Sequence, residues 1–147
     1  MKYESILSGQ VRIWHASVSA EMIEEAISLR ANIKHSVGEP TRGRSGSLFG
    51  DSYCSFWIVV RARTDSEHVL ECCISTIENK LLDVQDLLVS GGWAHVYVVA
   101  HDPDVVQLSA DANMISRLAR IPAGLVVEFA APEFADGADI GADDASL

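Results

Sequence analysis

No uninterrupted apolar run in this chain approaches the roughly 20 residues that a membrane-spanning helix requires. The opening residues, Met1-Lys2-Tyr3-Glu4-Ser5, lack the hydrophobic stretch of a secretory signal. Cysteine is scarce. Cys54, Cys72 and Cys73 are odd in number and two are adjacent, which makes a poor disulfide framework and an ordinary set of reduced thiols. Together these absences predict a soluble, cytoplasmic protein without membrane contact. Positive charge is thin as well: residues 1–50 hold six Lys/Arg against five acids, and residues 51–147 hold five against sixteen. A net charge of −10 opposes binding to a phosphate backbone, which Lys and Arg drive by releasing counterions. Nucleic acid is therefore not an expected partner, whereas a basic protein is, because an acidic surface accelerates its approach.

Catalytic signatures are missing too. No serine sits in a Gly-x-Ser-x-Gly elbow, and the nearest string, Gly43-Arg44-Ser45-Gly46-Ser47, has the wrong spacing and no strand leading into it. His68 and Cys72 stand four apart, but zinc needs three or four ligands and no companion pair is visible. Asp136, Asp139 and Asp143 do not match the spacing of a calcium loop. No metal and no cofactor is expected.

What the chain does have is a parity pattern. Alternate residues of a strand point to opposite faces, so Trp57, Val59 and Arg61 share one face, as do Trp93, His95 and Tyr97, and likewise Arg12 and Trp14. The other parity is plain: Val11 and Ile13; Phe56, Ile58 and Val60; Ala94, Val96 and Val98. With the plain sides aligned beneath helices, the opposite sheet face collects Trp, Tyr, Arg and His, a composition suited to contact surfaces. Arg12, Trp14, Trp57, Arg61, Trp93, His95 and Tyr97 are the candidate partner-binding residues, with a second copy of the chain or cover from its own loop or tail as alternatives.

At 147 residues the chain is long enough for one domain with a sizeable core. Strands are predicted at about Gln10 to Ala16, Tyr53 to Ala62, Trp93 to Ala100 and Leu125 to Ala130, with a short one near Val105 to Leu108. Ser19 should cap a first helix that fades near Ala31. Leu70, Cys73, Ile74, Ile77, Leu81, Val84 and Leu88 recur at three- and four-residue steps and predict one long helix, capped by Asp65 or Ser66 and ended by Gly91-Gly92. Ser109 should cap a helix bearing Met114, Ile115 and Leu118. Lys34 to Asp51 contains five glycine or proline punctuations and reads as a long loop: Gly38, Pro40, Gly43, Gly46 and Gly50. Its Lys34, His35, Arg42 and Arg44 make an alternative, anion-binding site, in which glycines expose backbone N–H groups beside arginines.

Residues 1–130 thus form a single domain and 131–147 an acidic tail expected to be loosely held. The order from the second strand onward predicts an α+β domain of ferredoxin-like β-α-β-β-α-β arrangement, with an extra N-terminal strand and helix and all helices on one sheet face. Gly38-Glu39-Pro40-Thr41 after the first helix, Phe56-Trp57, the long helix ending in Gly91-Gly92 and the closing helix and strand resemble the bacterial domain-of-unknown-function family numbered 4279, over about residues 4 to 130. That resemblance implies no activity and no catalytic residues. The expected function is a non-catalytic protein-interaction module, an immunity-like inhibitor of a basic partner being its sharpest form; the alternative is a small-ligand or anion-binding protein using the Lys34 to Arg44 loop.

Overall fold

The computed structural model describes residues 4–43, 46–101 and 108–130. Along the chain run β1 (Ser5–His15), α1 (Ala20–Ile27), β2 (Ile33–His35), β3 (Ser52–Thr64), α2 (Ser66–Glu78), α3 (Leu81–Val89), β4 (Gly92–Ala100), α4 (Ala112–Arg120) and β5 (Gly124–Phe129). The strands form one mixed sheet in the order β2-β3-β1-β4-β5. β1 is antiparallel to both neighbours, and β4 and β5 run parallel across α4. The fold is α+β. All four helices send buried residues into a single core with Leu7, Val11, Ile13, Phe56, Ala94, Val96 and Val98, so they cover one face of the sheet.

The ferredoxin-like order is not what the described residues show. The first strand, expected as an appendage, is the centre of the sheet, paired along both edges. Its inward residues Leu7, Val11 and Ile13 are fully buried, and a strand this apolar on one side gains most in the middle. Two helices rather than one link β3 to β4. The short strand predicted near Val105 to Leu108 falls almost wholly outside the described residues, as does the tail from 131.

Local capping places the helix starts. Ser19 accepts from the Met22 amide and Asp65 from the His68 amide. The cap of α4 is Asp111, not Ser109. Ser109 instead exchanges hydrogen bonds with buried Ser66, donating its amide to the hydroxyl at 2.9 Å and receiving the hydroxyl on its carbonyl at 2.6 Å. α1 stops at Ile27, short of Ala31, where Ser28 turns left-handed at φ 61°.

The predicted long helix is two helices, with Asn79 and Lys80 between them. The break lets α2 lie across β1, β3 and β4 while α3 turns to meet β4 and α1. Ile77 and Val84 on either side of it are both fully buried, so the apolar period runs through the interruption and conceals it.

β3 departs from regular alternation. Leu7 pairs with Ala62, Gly9 with Val59 and Gln10 with Trp57, which requires two bulges, and Arg61 takes φ 40°. Val59 is thereby turned inward opposite Gly9, and Val60, expected among the plain residues, is 62% exposed. Gly9 has its own reason: a Cβ there would lie 2.4 Å from Val69 Cγ1 of α2. Strand and helix approach too closely for any side chain.

α4 is tied to α2 by one arginine. Arg117 reaches Glu78 at 2.7 Å, both carboxylate oxygens of Glu71 and the hydroxyl of Ser75. The Arg117 guanidinium, then the Ser75 hydroxyl, hold the Glu71 carboxyl down at about 2 from an ordinary 4.5. A carboxylate depressed in the folded state stabilises above its unfolded value and ceases to do so as pH falls through its folded one. Because the pair is largely solvated, Arg117→Ala should lower stability only slightly near neutrality. Urea midpoints of both proteins should converge as pH drops from 4.5 toward 2; a gap that stays constant with pH would exclude this role for Glu71.

Candidate interaction face

Registry across the sheet sets its helix-free side in rows. His35, Tyr53, Trp14 and Trp93 stand side by side on β2, β3, β1 and β4. The next row is Ile33, Ser55, Arg12, His95 and Gly124, and the third is Trp57, Gln10, Tyr97 and Val126. Directly opposed residues share a face, so Trp57 and Trp93 lie on the same side with Arg12, Trp14, His95 and Tyr97. These three rows contain no carboxylate.

The rings make contact. Trp14 and Trp93 stack at 5.9 Å between centroids and 4° between planes, and Tyr53 flanks Trp14 at 5.1 Å. His95 meets the edge of Trp14 at 5.3 Å. The Arg12 guanidinium sits 3.8 Å over the Tyr97 ring, held sideways by donation from Nε to Gln10 Oε1 at 2.9 Å. Gly124 admits the His95 ring, since a Cβ there would lie 2.9 Å from His95 Cδ2. The outer indoles remain open: Trp57 is 42% and Trp93 41% exposed. Underneath, His95 Nδ1 is buried without a hydrogen-bond partner. Burial lifts the Tyr53 phenol above its ordinary range.

Arg61 belongs to this face by another route than parity. Beyond the bulges its guanidinium comes within 3.4 Å of His101 Nδ1, and His101 Nε2 lies 2.8 Å from the hydroxyl of Ser8, two residues along β1 from Gln10. It therefore stands at the far end of the platform from Trp14. Tyr53, Ser55, Gln10 and His35 complete the rows without having been singled out for them. Tyr53 and Ser55 share the parity of Trp57, which was sufficient signal; His35 was not detectable, because no strand was expected there.

Of the anion-binding set, Lys34 and His35 are not brought together. Residues 33–35 form a strand instead of loop, so Lys34 and His35 point to opposite faces. Lys34 Nζ is engaged by Glu24 at 2.8 Å and Glu21 at 3.2 Å. The His35 ring stacks on Phe49 at 3.6 Å, and burial pushes its pKa down, which keeps it neutral near pH 7. Arg42 is exposed, and Arg44 lies outside the described residues. The described parts of the loop are tied together by a bridge between Pro40 and Leu48 and by Gly38 donating to the Phe49 carbonyl at 2.9 Å.

Cys54 and Cys73 are buried free thiols pushed up to about 12 by desolvation, so both stay protonated and unreactive at neutral pH. Among the described residues no three His, Cys, Asp or Glu side chains are grouped to hold a metal ion, and no helix is long and apolar enough to cross a membrane. Comparison with family models, curated proteins and solved structures finds no match.

Proposed function

We propose that this protein is a non-catalytic interaction module that receives a protein partner, or a second copy of itself, on the aromatic face of its sheet. The observation that carries this reading is the continuous platform of Trp14, Trp93, Arg12 and Tyr97, which the helices leave uncovered. Rigid aromatic rings with an arginine among them lose little entropy on contact and anchor most strongly bound interfaces.

The test is association measured by sedimentation, first of the protein alone and then with the product of its neighbouring gene. Trp93→Ala and Trp57→Ala should each weaken the complex by on the order of 2 kcal/mol while leaving the melting temperature unchanged. If both variants instead lose roughly 3–5 kcal/mol of stability with association untouched, the rings are packing within the chain and the reading fails.

A further inference from the structure

α1, α2 and α3 carry Glu21, Glu24, Glu25, Glu67, Glu71, Glu78, Asp83 and Asp86 and not one Lys or Arg. Several of these acids are satisfied from elsewhere in the chain: Lys34 bridges Glu21 and Glu24, and Arg117 bridges Glu71 and Glu78. Glu25, Asp83 and Asp86 have no ion pair among the described residues, and the three come together around one groove. It is a shallow, open groove between α1 and α3, lined by Val18, Met22, Ala26, Leu87 and Ser90 together with those three carboxylates.

Part of its apolar lining is open to water: Met22 is 53% exposed. Asp83 has a local reason to exist, in the first turn of α3 where the helix dipole favours an acid. Asp86 and Glu25 lie beyond the first turns of their helices, so the dipole does not account for them. Water satisfies unpaired carboxylates and does not satisfy an exposed Met, so the combination is complementary to one chemistry: apolar side chains flanked by Lys or Arg.

We infer that the groove between α1 and α3 docks a cationic amphipathic segment of a protein partner. Apolar side chains of that segment cover Met22, Ala26 and Leu87, and its cations meet Glu25, Asp83 and Asp86. The site lies on the helical layer, opposite the aromatic rows, and stands independently of them.

The probe is a labelled helical peptide of Lys and Leu with one apolar face, beside a Glu and Leu counterpart, followed by fluorescence anisotropy. The cationic peptide should bind with an affinity that falls as salt is added, and the anionic one should not bind. Asp83→Asn with Asp86→Asn should weaken binding on the order of tenfold, while the charge-matched Glu4→Gln with Glu128→Gln should change it by about twofold at most. Met22→Gln should also weaken it, and Trp93→Ala should not. Circular dichroism establishes that each variant is folded. Failure of the cationic peptide to bind overturns the inference. So does an equal loss from both carboxylate pairs, which would show attraction to overall charge only.

Discussion

Ile77→Ala should lower the stability of the fold by about 2–5 kcal/mol, and Leu81→Ala by distinctly less. Ile77 lies in the last turn of α2, wholly buried in the core that the sheet shares with the helices. Truncation there removes apolar area from the interior and leaves a cavity whose walls are held by β strands on one side and helix on the other, so little collapse is available to relieve it. Leu81 comes four residues later and has the same chemistry. It lies beyond the break at Asn79 and Lys80, as the first residue of α3, and is only partly buried. Water already reaches it, so its loss leaves less of a void. Denaturant midpoints at constant slope read both numbers. Equal losses would mean that the stripe is buried evenly, as in one continuous helix, and would contradict the two-helix arrangement.

His15→Ala should cost roughly 3 kcal/mol, more than the loss of a polar side chain ordinarily does. The ring is fully buried, and its Nδ1 receives the amides of Ser17 and Val18 at 3.0 Å each. A nitrogen accepting two amide protons carries none of its own, so the proton is on Nε2 and is donated to the Ser90 hydroxyl at 2.9 Å. That hydroxyl donates onward to the Leu87 carbonyl at 3.0 Å. One neutral imidazole therefore joins the end of β1, the approach to α1 and the end of α3. Space around it is tight: a Cβ on Gly92 would lie 3.1 Å from His15 Cδ2 and 2.9 Å from the Leu87 carbonyl oxygen, and Gly91 turns the chain at φ 122°. Only glycine closes the turn from α3 into β4 over this ring. Alanine at 15 leaves a cavity and three polar groups without their partner. Asparagine, whose Oδ1 occupies the place of Nδ1, should restore about half the loss because the two amides regain an acceptor. Thermal melts together with hydrogen exchange at Ser17 and Val18 measure this. Unchanged exchange at those amides in His15→Ala would show that the ring does not hold them.

The consequence reaches the interaction face, because His15 follows Trp14 directly. Trp14 stacks on Trp93 only while the end of β1 stays in register with Gly92 and Trp93. Legibility in the sequence differs sharply between these neighbours. Trp14 and Trp93 were identifiable by alternation. His15 was not, since a buried histidine that serves a turn has no distinguishing neighbours along the chain, and Ser90, its partner, is 75 residues away.

Alternation is a property of the extended backbone, and so the sequence by itself determined which residues of β1 and β4 face the helices and which face outward. Caps are equally local, and Ser19 and Asp65 announce their helices within three residues. The apolar stripes, read with strand order, likewise determined an α+β fold with its helices on one face. Tertiary structure alone decided the rest. The bulges that turn Val59 inward and Val60 outward flank Gly9, where α2 approaches the strand from far along the chain. The split between α2 and α3 is set by the separate surfaces they pack on, whereas their apolar period is continuous. Lys34 is drawn to Glu24 by the turn after α1, and Arg117 to Glu71 and Glu78 by the docking of α4. Periodicity is fixed within a few residues of backbone, but which strand becomes central, where a register slips and which charges meet depend on distances that exist only once the chain has folded back on itself.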